Sequence, residues 1–336
     1  MKLHLDRDAF DVFIENIHER CSYRSDVLEK DYYVVLILEE LAKFQKENGL
    51  PAYFKGGTAL YKALKMTNRF SEDIDLSVDT RGMSRSQNDK KLSEATKKYT
   101  VLPREEGITH RSEVITTYIY EPVTNYDTDD SLQRFGRVKI EATSFTIGEP
   151  VTSMEIAPLI YELATEDEKR ILESQYDIKP FEIKTITMER IFVDKLFAAE
   201  AYVRKSENKH RAFEAAKHIY DLTVMENQPK IAALLQNEEE LKKLLAIRLT
   251  EEKERRDGIS DVLPGDFTFF TQAAQDKNVC DAYEKMLRQY VMRNEDRINL
   301  AEVNSSLGRI EAKLLKNPAW LECKLPKKVK NKEQEC

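Results

Sequence analysis

Two short motifs, Gly56-Gly57-Thr58 and Ser71-Glu72-Asp73-Ile74-Asp75, constrain this chain more than anything else in it. Ala52-Tyr53-Phe54 reads as a strand, Thr58 to Lys65 as a helix, and Ile74 to Val78 as a second strand. Strand, glycine turn, helix and strand thus fall within about thirty residues, a compact α/β unit. Side chains two apart on a strand share a face, so Asp73 and Asp75 project together, with Ser71 on the same side, while Ile74 and Leu76 turn towards apolar packing. Two carboxylates so close repel unless something positive stands between them, and hard oxygen donors suit Mg2+ or Mn2+. Alone, the Asp-x-Asp pair reads equally well as a solvated strand end, and the glycine pair as a plain turn. Together they are more specific. Gly56 and Gly57, with Lys55 beside them, let backbone N–H groups and a helix N-terminus approach a phosphate. Thr58 can add a hydroxyl or cap the helix. Phosphate cradle and paired carboxylates on neighbouring elements are the two halves of a metal-assisted phosphoryl-transfer site.

The rest of the chain sets the frame. Its 336 residues allow two domains, and only 10 Gly and 10 Pro favour long helices over an all-β design. The net charge of −7 argues against a general nucleic-acid coat but permits a local basic groove, at which Arg134, Arg137 and Lys139 hint. Four cysteines, Cys21, Cys280, Cys323 and Cys336, make no CxxC pair and read as reduced thiols. The N-terminus is too charged to begin a signal peptide, and no apolar run reaches the ~18 residues of a membrane span, so a cytoplasmic protein without a membrane partner is expected.

Residues 7 to 47 read as helices, with Ser25 and Asp26 placed to cap the second of them. Residues 84 to 106 also read as helical, Ile115 to Tyr120 as a strand, and Val138 to Phe145 as another. In that last strand Val138, Ile140 and Ala142 alternate with Arg137, Lys139 and Glu141. Glu141 is therefore the candidate third carboxylate, the competing reading being a cross-strand ion pair with its basic neighbours. Beyond roughly residue 185 the periodicity is helical through 316, interrupted at Leu263-Pro264-Gly265-Asp266. The tail from Lys324 carries lysines without an apolar period and reads as disordered.

These residues resemble the AbiEii-type toxin family of nucleotidyltransferases, within the polymerase-β-like superfamily. The likeness runs through Glu29-Lys30-Asp31-Tyr32-Tyr33, Phe54-Lys55-Gly56-Gly57-Thr58-Ala59-Leu60, Arg69 to Leu76, Lys195-Leu196 and Lys217-His218-Ile219-Tyr220-Asp221-Leu222, about the first two-thirds of the chain. It implies an α+β fold: a nucleotidyltransferase domain over residues 1–182, with a small mixed sheet flanked by helices, a mostly α-helical domain over 183–322, and a tail over 323–336. It further implies that Gly57 and Thr58 form the triphosphate-binding turn, that Asp73 and Asp75 hold the metal, that Lys195 or Lys217 contacts nucleotide phosphates, and that Asp221 supports catalysis. Lys217 and Asp221 share one helix face, which a plain surface ion pair would also explain. His218 departs from relatives that carry an acidic residue or an arginine there, and a structural role is expected for it. Of the N-terminal motif, Glu29 is expected to be structural, with Lys30 and Asp31 open.

The implied activity is transfer of a nucleoside monophosphate from an NTP to a hydroxyl, with RNA, and tRNA 3′ ends in particular, as acceptor. A cognate antitoxin is the implied partner and no DNA is expected. Nucleotidylation of a protein or small-molecule hydroxyl at the same site is the alternative enzyme. A non-catalytic nucleotide-binding module is the third reading, disfavoured because both aspartates and both glycines are present.

Overall fold

The computed structural model describes residues 2–21, 23–65, 67–105, 107–110, 112–125, 135–255 and 258–324. Arg134 and the lysine-rich tail from residue 325 lie outside these residues. Helices α1 (Arg7–Arg20) and α2 (Ser25–Glu47) lead into β1 (Ala52–Lys55). The single turn α3 (Gly56–Thr58) continues as a π-helix over Ala59–Ala63, and β2 (Ile74–Val78) follows. Next come α4 (Arg85–Lys97), β3 (Ile108–His110), β4 (Glu113–Ile119), β5 (Arg137–Thr143) and β6 (Val151–Ile156). Two short helices, α5 (Leu159–Glu162) and α6 (Glu166–Tyr176), precede β7 (Phe181–Ile186).

The strands form one mixed sheet in the order β3-β4-β5-β2-β1-β7-β6. β2 runs antiparallel to β1 and parallel to β5, and β1 is parallel to β7. Val138, Ile140 and Ala142 of β5, Ile74 and Leu76 of β2, and Val114 and Tyr118 of β4 are buried. The Tyr118 hydroxyl donates to Thr96 O of α4, which fixes that helix against this apolar face. The alternating partners Lys139 and Glu141 are left on the opposite, half-exposed face.

Helix α2 differs from an ordinary amphipathic helix. Every residue from Asp26 to Leu38 is buried, so the helix is enclosed on all sides. Its N-cap is Arg24 rather than Ser25 or Asp26, and the Arg24 guanidinium pairs with Asp26 inside the first turn. α4 stops at Lys97, short of the expected residue 106, and Glu105 N instead bonds Thr117 O beside β4.

The helices beyond β7 are α7 (Met188–Val203), α8 (Lys209–Glu226), α9 (Pro229–Gln236), α10 (Glu238–Glu252), α11 (Phe269–Gln272), α12 (Lys277–Tyr290), α13 (Leu300–Leu314) and α14 (Pro318–Leu321). Two compact units result: Met1–Ile191 with Asp281–Asn299, and Phe192–Cys280 with Leu300 onwards. The expected boundary after residue 182 would cut β7, whose Thr185 pairs with Phe54 on β1, and the first unit accordingly runs on to Ile191. The first unit also takes back a segment expected to be continuous helix. Between α12 and α13 the chain leaves the α-helix for a short 3-10 turn over Asn294–Asp296, Val291 bridges Arg69, and Tyr290 O accepts from Phe70 N at 2.7 Å.

The second unit is helical. Phe267 meets both Phe197 and Trp320 edge-to-face in its core. Arg248, fully buried, pairs there with Asp194 and Glu252. Cys21, Cys280 and Cys323 are free thiols, and Cys336 lies outside the described residues. Among the described residues no helix is long and apolar enough to cross a membrane.

Candidate active site

The strand register assembles the first part of the site. Lys55 on β1 lies opposite Asp75 on β2, and Asp75 lies opposite Glu141 on β5. Directly opposed residues share a face, so these three form one row across the sheet. Asp73, two residues before Asp75, extends that row at its edge, and Lys139, two before Glu141, stands beside it. The Lys139 ammonium is 3.5 Å from Asp73 Oδ2 and 3.4 Å from Glu141 Oε2. Glu141 thus lies in the carboxylate row and pairs with Lys139 of its own strand rather than across strands. Lys55 Nζ lies 3.2 Å from Thr143 Oγ1, further along β5.

Both glycines are dictated by close approach. Gly56 has φ of +78°, and a Cβ there would lie 2.1 Å from Asp75 Oδ2. At Gly57 a Cβ would come within 2.8 Å of Arg69 Nη2 and 2.9 Å of Ser71 Oγ. The turn is thus pressed directly against the aspartate strand and the segment leading into it. Thr58 does not present its hydroxyl outward. It is fully buried, its Oγ1 lies 3.0 Å from Ser71 Oγ and donates to Asp73 O, and the helix cap is Lys55. Thr58 therefore fastens the glycine turn to the Asp73 segment from inside.

Electrostatics mark Asp75. Burial pushes its carboxyl up to about 7, and the negative charges of Glu141 and Asp73 add to the shift, against the opposing pull of Lys55 and Lys139. A row of hard oxygen donors whose central member resists ionisation is a donor set that a divalent cation would relieve. Among the described residues no three His, Cys, Asp or Glu side chains are already gathered about one point.

The remaining expected residues fall in the second unit. Lys195 on α7 and Asp221 on α8 meet there in a buried ion pair at 2.6 Å. Lys217 pairs at 2.6 Å with Glu214, three residues back on its own helix. His218 stacks on Tyr202 with ring centroids 5.4 Å apart and planes within 5°. Of the residues expected to line a basic groove, Arg137 pairs with Glu105 at 3.5 Å, Lys139 pairs with the site carboxylates, and Arg134 lies outside the described residues. Sequence reasoning gave Lys139 a place only in the expected basic groove, and Glu72 no part in the site. Lys139 was legible as the polar-face neighbour of Glu141, and Glu72 as the one acidic residue of the Ser-Glu-Asp-Ile-Asp motif pointing away from its aspartates.

The class defined by this mixed sheet, glycine turn and aligned aspartates is a nucleotidyltransferase. The profile of the family described as "Nucleotidyl transferase AbiEii toxin, Type IV TA system" matches residues 36–312, and the chain belongs to that family. It is accordingly a nucleotidyltransferase toxin, and membership implies an NTP substrate and a cognate antitoxin. Two solved structures are similar. JHP933 from Helicobacter pylori is 15% identical, over 86% of this chain and 94% of that one, with a TM-score of 0.42. MenT4, the nucleotidyltransferase toxin Rv2826c from Mycobacterium tuberculosis, is 15% identical, over 90% of this chain and 98% of that one, with a TM-score of 0.43. No curated protein sequence matches the chain.

Proposed function

We propose that this toxin transfers a nucleoside monophosphate from an NTP to a hydroxyl of RNA, with a tRNA 3′ end as the leading acceptor. The observation that supports the transfer chemistry is the in-register row Lys55–Asp75–Glu141, abutted by Gly56 and extended by Asp73, while RNA as acceptor follows from the family resemblance. Asp73, Asp75 and Glu141 would hold Mg2+ or Mn2+, which when bound neutralises the triphosphate and lowers the pKa of the attacking hydroxyl. The backbone of Gly56 and Gly57, with Lys55 and Ser71, orients the phosphates. The acceptor oxygen forms a bond to the α-phosphorus and its proton passes to a carboxylate of the row. The bond from the α-phosphorus to the oxygen bridging the β-phosphate breaks, and pyrophosphate leaves with the electron pair. Lys139 is poised to exchange its carboxylate partners for phosphate oxygens as substrate enters. In the second unit, Lys195 and Lys217 are assigned to nucleotide phosphates and Asp221 to catalytic support, the roles implied by the family resemblance.

Incubation with labelled NTPs, Mg2+ and total tRNA tests the proposal. Label should enter tRNA with the wild type and not with Asp73→Asn or Asp75→Asn, both folded by circular dichroism. Wild-type incorporation by either variant would overturn the assignment of the site. Incorporation into protein alone would overturn the acceptor.

A further inference from the structure

We infer that Lys30 is a positioning residue for the transfer reaction, tying the strand that carries Glu141 to the segment that carries Asp73. The inference rests on the reading of Asp73, Asp75 and Glu141 as the reacting set. It starts from an anomaly of sequence: Glu29-Lys30-Asp31 places three consecutive charges in a helix buried on every side. All three are about 1% exposed. Successive residues of a helix point roughly 100° apart, so the three side chains fan out in different directions. A buried charge is costly unless paired and hydrogen-bonded, and an apolar residue would hold the helix in the core at lower cost.

Each of the three is satisfied by a different segment. Glu29 accepts from Val123 N at 2.8 Å and Thr124 N at 3.1 Å. Asp31 accepts from Leu159 N at 2.6 Å and pairs at 3.0 Å with Lys62, on the π-helix that continues the glycine turn. Lys30 reaches two segments at once. Its ammonium donates to Arg137 O, the first carbonyl of β5, two residues before Lys139 and four before Glu141. The same ammonium is 3.7 Å from Glu72 Oε2, next in sequence to Asp73. Glu72 is itself buried and receives the Tyr290 hydroxyl at 3.4 Å. One ammonium, with its three donors, therefore sets how the approach to Asp73 stands relative to the start of the Glu141 strand. Such spacing matters because displacements of about 1 Å in a reacting set cost on the order of 10²-fold in rate.

The test uses Lys30→Met, Lys30→Arg and Glu72→Gln in the full chain, with Asp75→Asn as control. Turnover, KM for NTP, the Mg2+ concentration for half-maximal rate, and Mn2+ binding by EPR without NTP are measured below the melting temperature. Lys30→Met and Glu72→Gln should lower kcat at least tenfold with KM for NTP within threefold of wild type. They should also raise the Mg2+ requirement and weaken Mn2+ binding at least threefold, and Lys30→Arg should restore part of each. A purely structural lysine predicts a lower melting temperature with kcat and metal binding unchanged, and that result would overturn the inference. If Lys30→Met does not fold, Glu72→Gln decides by the same criteria. An active Asp75→Asn would instead overturn the reading of the site itself.

Discussion

Gly56→Ala separates two costs that usually arrive together. The residue sits at φ of +78°, where an L side chain is strained by about 1–2 kcal/mol, which lowers the melting temperature by roughly 2–8 °C in a domain of this size. The new Cβ would also lie 2.1 Å from Asp75 Oδ2 and 2.9 Å from its Cγ, where real contacts stay beyond 3.0 Å. The carboxylate must retreat by roughly 1 Å, for which a rate loss on the order of 10²-fold is expected. Gly82 supplies the control, because it has φ of +76° with nothing within 4 Å of its added Cβ. Gly82→Ala should show the same loss of thermal stability with wild-type turnover. Gly56→Ala should show that loss and be nearly inactive. Melting is read by circular dichroism, and turnover by pyrophosphate release and by label transfer from NTP. Gly56→Ala turning over within threefold of Gly82→Ala would refute the claim that the glycine exists to let Asp75 approach.

Three further outcomes follow from the same geometry. Thr58→Val should lower kcat while leaving KM for NTP unchanged, with a stability loss of about 1–3 kcal/mol for the buried acceptor left unsatisfied, because its hydroxyl serves Asp73 O rather than a phosphate; a large rise in KM would mean it contacts the nucleotide. For Asp75, whose folded-state pKa of about 7 lies above the ordinary carboxylate value, stability is lost as pH rises from about 4 to 7 in the metal-free protein. Asp75→Asn escapes that loss, so its melting temperature in EDTA should gain on that of the wild type from about pH 4 to 7 and level off above; a pH-independent difference would contradict the assignment. Lys195→Met leaves Asp221 buried without its ammonium and should cost about 3–5 kcal/mol by urea unfolding, whereas a loss below 1 kcal/mol would show that the pair is not what holds α7 to α8.

What could be read from the sequence was local. Asp73 and Asp75 on one face, and Val138, Ile140 and Ala142 against Lys139 and Glu141, are period-two patterns that a strand must express, and the α+β class follows from them. The same signal was present and unread in Phe181-Glu182-Ile183-Lys184, the start of β7, and there the expected domain boundary fell inside the sheet. Register across strands left no trace in any single segment: that Asp75 pairs with Glu141 rather than with Lys139 depends on a parallel neighbour more than sixty residues away. Thr58 illustrates a different limit, since helix capping, phosphate contact and an inward bond to Asp73 O are indistinguishable until the 71–73 segment is placed.

Helix α2 carries the argument furthest. From the sequence Glu29 is expected to be structural and Lys30 and Asp31 stay open, because a helical period does not say what surrounds the helix. Enclosure decides the matter, because a charge with no water beside it must find partners in the protein. Once those partners prove to be the start of β5, the Asp73 segment and the π-helix after Gly56-Gly57, the charges cease to be decoration on a helix. The sheet sets which carboxylates share a row, the glycines set how closely the turn can approach it, and the buried helix sets the spacing between the pieces.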